Sequence, residues 1–343
     1  MILPQTYLGT LILMTFGLLC AGLWASTYKL AGKLRFEVYY IDFAVGLGFA
    51  AVFFAFTFGN LGFDGFSIMD DLLQAHKRQW VEALGAGMIF NLANMFLLAA
   101  MSVSSMAVAF PVSLGLTFVI GLLLGQIGQP PSSAVFVYLG CALILCAVLM
   151  DAMAHRTAVA ASRAASVQQS KSARRSTGPV KALLLAGVGG LLMVGIYPLL
   201  KMASTGDAPL GGYSLMLLMA AGAFLSTFVF SLFFMNLPIE GEPLDVGDYF
   251  RMRLNRHWPG ILGGILWCAG TLAVFVSANT EHEAQLGRSL YLGLSLGGPV
   301  IAGICGLLIW KELAPGGGRA RLAASVSLLL FAAGVLLVSL AHA

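Results

Sequence analysis

The sequence predicts an all-α integral membrane protein of ten transmembrane helices in two inverted five-helix repeats. Three observations carry that expectation. Hydrophobic residues make up 59% of the 343 and charged residues only 10%, whereas a soluble domain carries about a quarter charged residues. Apolar runs of about twenty residues, the length a helix needs to cross a bilayer core, recur ten times. The second five runs echo the first five in loop composition and in glycine and tryptophan positions.

The expected spans are 8–28, 39–58, 84–102, 106–125, 132–152, 180–202, 212–235, 259–279, 286–310 and 322–341. None is charged through its middle, and helices apolar all round can only pack as a bundle. The longest polar interruption, 155–179, contains SRAASVQQSKSARRSTG. It reads as a flexible cytoplasmic linker between a first repeat, 1–154, and a second, 180–343.

Alternating loops place fifteen of the nineteen basic residues on one side, among them Lys29, Lys33, Arg35, Arg156, Arg163, Lys171, Arg174, Arg175, Arg251, Arg253 and Arg256. Basic loops stay cytoplasmic. Both termini are therefore expected outside a plasma membrane, the inner membrane of a bacterium. No Lys or Arg precedes the first run, so a signal-peptide basic region is not expected there.

The internal repeat is read at an offset of 176 to 178 residues. Asn60-Leu61, an acidic loop, Trp80 and the helix start at Gly85–Gly87 answer Asn236-Leu237, a second acidic loop, Trp258 and the start at Gly260–Gly264. Phe90-Asn91 falls on Trp267-Cys268 and Asn94 on Thr271, while Trp24 and Lys29 of the first span answer Tyr197 and Lys201 of the sixth at the shorter offsets of 173 and 172. With five spans per half, the second copy must enter the membrane upside down. Many secondary transporters use that arrangement to build two alternating gates around a midplane site.

The third and fourth spans, Gly85 to Gln126, are the stretch where function is expected. Asn91 and Asn94 lie three residues apart, on one helical face. A bare amide in hydrocarbon is costly, so both must face protein or a water-filled path. Their donors and acceptors suit a polar solute. Gly87-x-x-Phe90-Asn91-x-Ala93-Asn94, Met106-Ala-Val-Ala-Phe110-Pro111-Val and Trp310-Lys311-Glu312-Leu313 resemble motifs of the drug/metabolite transporter superfamily. The nearest resemblance is to the ureide permeases, relatives of the glucose/ribose and rhamnose porters. The resemblance implies import of small polar metabolites: allantoin, uracil and related oxo-heterocycles, or sugars for the porters. Plant ureide permeases carry a phosphate-loop-like sequence in the central loop; here that loop ends only in Gly178-Pro179-Val180-Lys181.

The candidate substrate-binding residues are Asn91, Asn94, Trp24, Phe110, Ser113, Tyr197, Trp267, Thr271, Tyr291 and Ser295, the aromatics offering faces for a flat ring. Trp80 and Trp258 read as interfacial anchors. Pro111, Pro198 and Pro299 each remove a backbone donor within a span and tend to kink it. Candidate gating or coupling residues are Lys29, Asp42, Pro111, Lys201 and Pro299. The lysines also fit simple snorkelling to the interface, and Asp42 is the carboxylate nearest mid-depth. The five cysteines read as small packing residues, and the histidines, in or beside loops, receive no role.

The function expected is alternating-access transport of a small, ureide- or nucleobase-like metabolite, by a monomer or homodimer in the lipid bilayer. No cofactor, metal, catalytic residue or nucleic-acid partner is expected. A sugar porter or a metabolite exporter of the same fold is the alternative. From a different class, a membrane-embedded transferase would require a metal at Asp64, Asp70 and Asp71.

Overall fold

The computed structural model describes residues 1–32, 34–61, 66–125, 133–168, 179–280 and 285–341. The described chain is helical, and ten of its helical segments are long and apolar enough to cross a membrane. The first five are α1 (Tyr7–Leu30), α2 (Phe36–Phe56), α4 (Lys77–Val103), α5 (Met106–Gly125) and α6 (Ala134–Gln168), with a short α3 (Ile68–Gln74) between α2 and α4. The ten segments coincide with the ten spans expected from the sequence.

Two of the later spans are discontinuous. The sixth is α7 (Pro179–Val194) and α8 (Ile196–Ala203), divided at Gly195. The ninth is α12 (Arg288–Leu296) and α13 (Gly298–Ile304), divided at Gly297 and followed by a π-helical turn, Cys305–Ile309. Pro198 and Pro299 sit in the first turns of α8 and α13 rather than inside a bent helix. Their missing N–H groups cost little at a helix start. Pro111, by contrast, lies inside α5, which stays continuous.

The remaining elements are α9 (Gly212–Asn236), α10 (Val246–Phe250), α11 (Trp258–Ala278) and α14 (Gly317–Leu340). Helix α6 continues through 155–168, where the sequence suggested a flexible linker. Ala158, Ala160, Ala161, Ala164 and Ala165 fall in this stretch, and alanine is the strongest helix former. Residues 169–178, with Lys171, Arg174 and Arg175, lie outside the described residues, as do Lys33 and Asp64.

The helices group into two compact units, each drawing on both halves of the sequence. The first comprises Met1–Met95 and Gly195–Gly287, the second Phe96–Val194 and Arg288–Ala343.

In the first unit, glycines set the helix spacing. A Cβ on Gly87 of α4 would strike the Met219 carbonyl and lie 2.9 Å from the Ala223 nitrogen, both on α9. A Cβ on Gly264 of α11 would strike the Phe43 carbonyl and the Leu47 nitrogen, both on α2. Likewise Gly46 meets the Ile261 carbonyl, and Gly222 the Leu84 carbonyl. In a bilayer, where lipid tails are as apolar as the helix surfaces, such backbone approach is the main source of helix association. The unit's short helices are capped in the same way. Ser67 accepts from the Asp70 N–H at 3.2 Å, and Asp245 from the Gly247 N–H at 3.1 Å.

The second unit is built on α6 against α14. Phe331, Ile144, Val137 and Ala147 are fully buried between these helices, and Ser327 donates to the Ala147 carbonyl at 2.9 Å. Helix α5 packs on α7 through Thr117, whose hydroxyl contacts the Ser113 and Gly190 carbonyls, each at 2.9 Å.

Candidate functional site

Helices α2, α4, α9 and α11 enclose a polar cluster in the first unit. Asn91, fully buried, donates from Nδ2 to Ser226 Oγ at 2.7 Å, and its Oδ1 accepts from Thr227 Oγ1 at 3.1 Å. The Tyr40 hydroxyl donates to the Asn91 carbonyl at 3.2 Å. Asn94, also fully buried, donates from Nδ2 to the Tyr40 hydroxyl at 3.5 Å, while its Oδ1 has no hydrogen-bond partner among the described residues. The two amides thus differ. Asn91 is satisfied by α9, and Asn94 keeps an unmet acceptor, which is expensive in a buried site.

Phe90 shares a helical face with Asn94, four residues on. Its ring stacks on Trp267 of α11 with centroids 3.9 Å apart and an interplanar angle of 26°. Trp267 and Thr271, one turn apart on α11, are both part-buried. Trp24 of α1 is 3% exposed and packs against Phe43, centroids 5.3 Å apart. It belongs to a buried aromatic group in which Tyr39 bonds Thr27 at 2.6 Å.

The other expected site residues lie elsewhere. Tyr197 on α8 is 62% exposed, and Lys201 is exposed in the last turn of the same helix. Lys29 is half-buried near the end of α1. In the second unit, Phe110, Pro111 and Ser113 are buried on α5, and Ser113 Oγ lacks a partner among the described residues. Ser295 donates to the Tyr291 carbonyl at 2.7 Å within α12.

A second polar group stands near the start of α2. Asp42 is 2% exposed. Its Oδ1 accepts from the Tyr249 hydroxyl at 2.7 Å and meets His257 Nδ1 at 2.8 Å. Burial, then the bond to Asp42 and that residue's charge, push the Tyr249 hydroxyl well above its ordinary value. His257 therefore has a partner that the sequence does not reveal, since 215 residues separate it from Asp42. His155, expected in a loop, is instead 4% exposed inside α6, one turn after the fully buried Asp151.

The acidic loop between α2 and α4 is engaged in protein contacts where it is described. Asp70 accepts from the Ser67 hydroxyl at 2.6 Å, and Asp71 from the Gly211 N–H at 2.9 Å. An apolar pocket of about 370 Å³ between Leu13, Phe16, Phe54, Phe58 and Leu272 offers little to a polar solute. The Tyr213 hydroxyl at its edge is already bonded to the Ile2 carbonyl at 2.8 Å.

Ten spans long and apolar enough to cross a bilayer define a multi-pass membrane protein. Residues 39–184 match the family model of the ureide permeases, which agrees over that stretch with the resemblance read from the sequence. The matched stretch holds Tyr40, Asp42, Asn91 and Asn94. No significant match appears among curated proteins. A solved structure titled only "Crystal structure of protein" is similar over 95% of this chain and 97% of that chain, with 15% identity and a TM-score of 0.50. At that identity the likeness concerns the fold alone.

Proposed function

We propose that this protein is a secondary transporter that moves a ureide- or nucleobase-like metabolite by alternating access. The substrate would contact Asn94 beside the Phe90–Trp267 stack. The observation that carries the reading is that stack. Phe90 and Trp267 are equivalent positions of the two sequence repeats, and they meet face to face. Equivalent residues touch each other only where a two-fold axis passes between them. The glycine contacts support the same axis. Gly87 on Met219 and Ala223 is the counterpart of Gly264 on Phe43 and Leu47, and Gly46 on Ile261 that of Gly222 on Leu84. An inverted repeat with its axis at mid-depth is the frame on which transporters exchange outward and inward states.

The polar cluster departs from that symmetry. At the repeat offset, Asn91 answers Cys268, and Ser226 and Thr227 answer Ala50 and Ala51. One side of the axis is polar and its mate apolar, as suits a ligand with one hydrogen-bonding edge and one flat face. An oxo-heterocycle offers ring N–H donors that match the unmet Asn94 carbonyl and a plane that fits the part-buried Trp267. The basic loops favour a cytoplasmic linker with both termini outside.

The test is equilibrium binding of allantoin, uracil, glucose and ribose to purified protein, with uptake into proteoliposomes. Binding of allantoin or uracil, weakened at least about tenfold by Asn94→Ala, is expected from the loss of one buried hydrogen bond. Binding of sugars alone would replace this reading with the porter one.

A further inference from the structure

The segment between α9 and α11, residues 237–257, is tied to the start of α2. The Arg35 guanidinium donates to the Glu242 carbonyl while pairing with Glu37 at 2.7 Å. Seven residues along α2, Asp42 holds both Tyr249 and His257 through one oxygen, and its other oxygen has no partner among the described residues. A carboxylate 2% exposed with half its acceptor capacity unused is costly as an anion unless a positive charge stands beside it. Of the two groups bonded to that carboxylate, His257 is the one able to carry a positive charge, and its side chain is 16% exposed, so it links the buried carboxylate to solvent.

We propose that Asp42, His257 and Tyr249 form a proton-binding site whose occupancy fastens or releases the 237–257 segment on α2. Two groups in hydrogen-bond contact titrate as a pair. With one shared proton, the site holds His257⁺ against Asp42⁻ and is neutral overall. Removing that proton leaves a buried net negative charge. Adding another neutralises Asp42 and ends its attraction for the imidazolium. The segment is therefore held tightest at intermediate pH and loosens on either side.

The surrounding charges leave this pair in control. On α2 the other neighbours are Tyr39, bonded to Thr27, and Glu37, neutralised by Arg35. Helix α1 contributes Tyr28, edge-on to Tyr39. On the segment itself Glu240, Glu242, Asp245, Asp248, Arg251, Arg253 and Arg256 are exposed, where solvent screens them. In the connection between α2 and α4, Asp71 accepts from the Gly211 main-chain N–H at 2.9 Å.

The proposal rests on the transporter reading only in giving the strap a path to gate. Its test, hydrogen exchange of the substrate-free protein in nanodiscs, needs no transport. Protection of backbone amides 246–257, corrected for intrinsic exchange, should pass through a maximum between about pH 4 and pH 9 and fall at least about tenfold on each side. His257→Asn, which keeps a donor but no titration, should lose the alkaline limb. Tyr249→Phe should lower protection at every pH without moving the maximum. A pH-independent wild type, or an unchanged profile in His257→Asn, would overturn the proposal whether or not allantoin or uracil binds.

Discussion

Asn91 and Thr227 are joined at 3.1 Å, amide oxygen to hydroxyl, while Ser226 takes the other end of the same amide at 2.7 Å. With both ends bonded to α9, Asn91 is a clamp between α4 and α9 rather than a group left open to solute. Among the described residues the Asn94 side chain, three residues on, has only the 3.5 Å contact with Tyr40 and an unmet amide oxygen. The two asparagines share a face but differ in their bonding, one holding the cluster and the other being the proposed ligand contact.

Asn91→Ala should therefore destabilise the protein. It removes two buried bonds between α4 and α9, a loss of about 1–3 kcal/mol, while Thr227 keeps its bond to the Ala223 carbonyl at 2.8 Å. Thermal unfolding in detergent should show a clearly lower midpoint. Asn94→Ala breaks one long bond, removes an unsatisfied oxygen and should unfold within about 1 kcal/mol of wild type.

Of this site, the sequence exposed the amide pair and its face, because polar side chains are conspicuous in apolar runs. Tyr40, Ser226 and Thr227 were missed. A tyrosine or a hydroxyl in a membrane helix reads as packing, and what makes these three significant is a partner 51 to 136 residues away. The ten spans were legible from length and hydropathy alone. The breaks at Gly195 and Gly297 were not, because a glycine in a membrane helix serves close packing as readily as it ends a helix. Tyr197, paired with Trp24 by the repeat, is 62% exposed. It follows a break in the sixth span where its counterpart lies in an unbroken α1.

Gly87→Val and Gly264→Val should be equally damaging if the two glycines are repeat partners. Each substitution drives a side chain into a neighbouring main-chain carbonyl, and loss of most folded protein is the expected outcome for both. The yield of monodisperse protein on size exclusion measures it. A tolerated substitution at one site alone would break the equivalence.

Glu312 caps α5, its two oxygens accepting from the Met106 and Ala107 N–H groups at 3.1 and 3.0 Å. A carboxylate on the positive end of a helix, bonded to its free N–H groups, contributes about 1–2 kcal/mol. Glu312→Gln should keep one bond but lose the charge, and amides 106–109 should exchange several-fold faster. Unchanged exchange there would remove the cap from the account.

The Tyr249 hydroxyl titrates well above its ordinary value because it is buried and bonded to Asp42. The unfolded chain releases that proton first, so stability from this contact is complete below about pH 10 and declines as pH rises beyond it. Tyr249→Phe should flatten the alkaline decline, read as unfolding midpoints between about pH 8 and pH 11.

The central claim is that Asn94 faces the substrate. The most direct measurement is isothermal titration of allantoin and uracil into wild type and Asn94→Ala, each shown to be folded by its unfolding midpoint. The account predicts binding to wild type of at least one of the two compounds, and a dissociation constant at least about tenfold higher in the variant. Equal affinity in wild type and Asn94→Ala would contradict it.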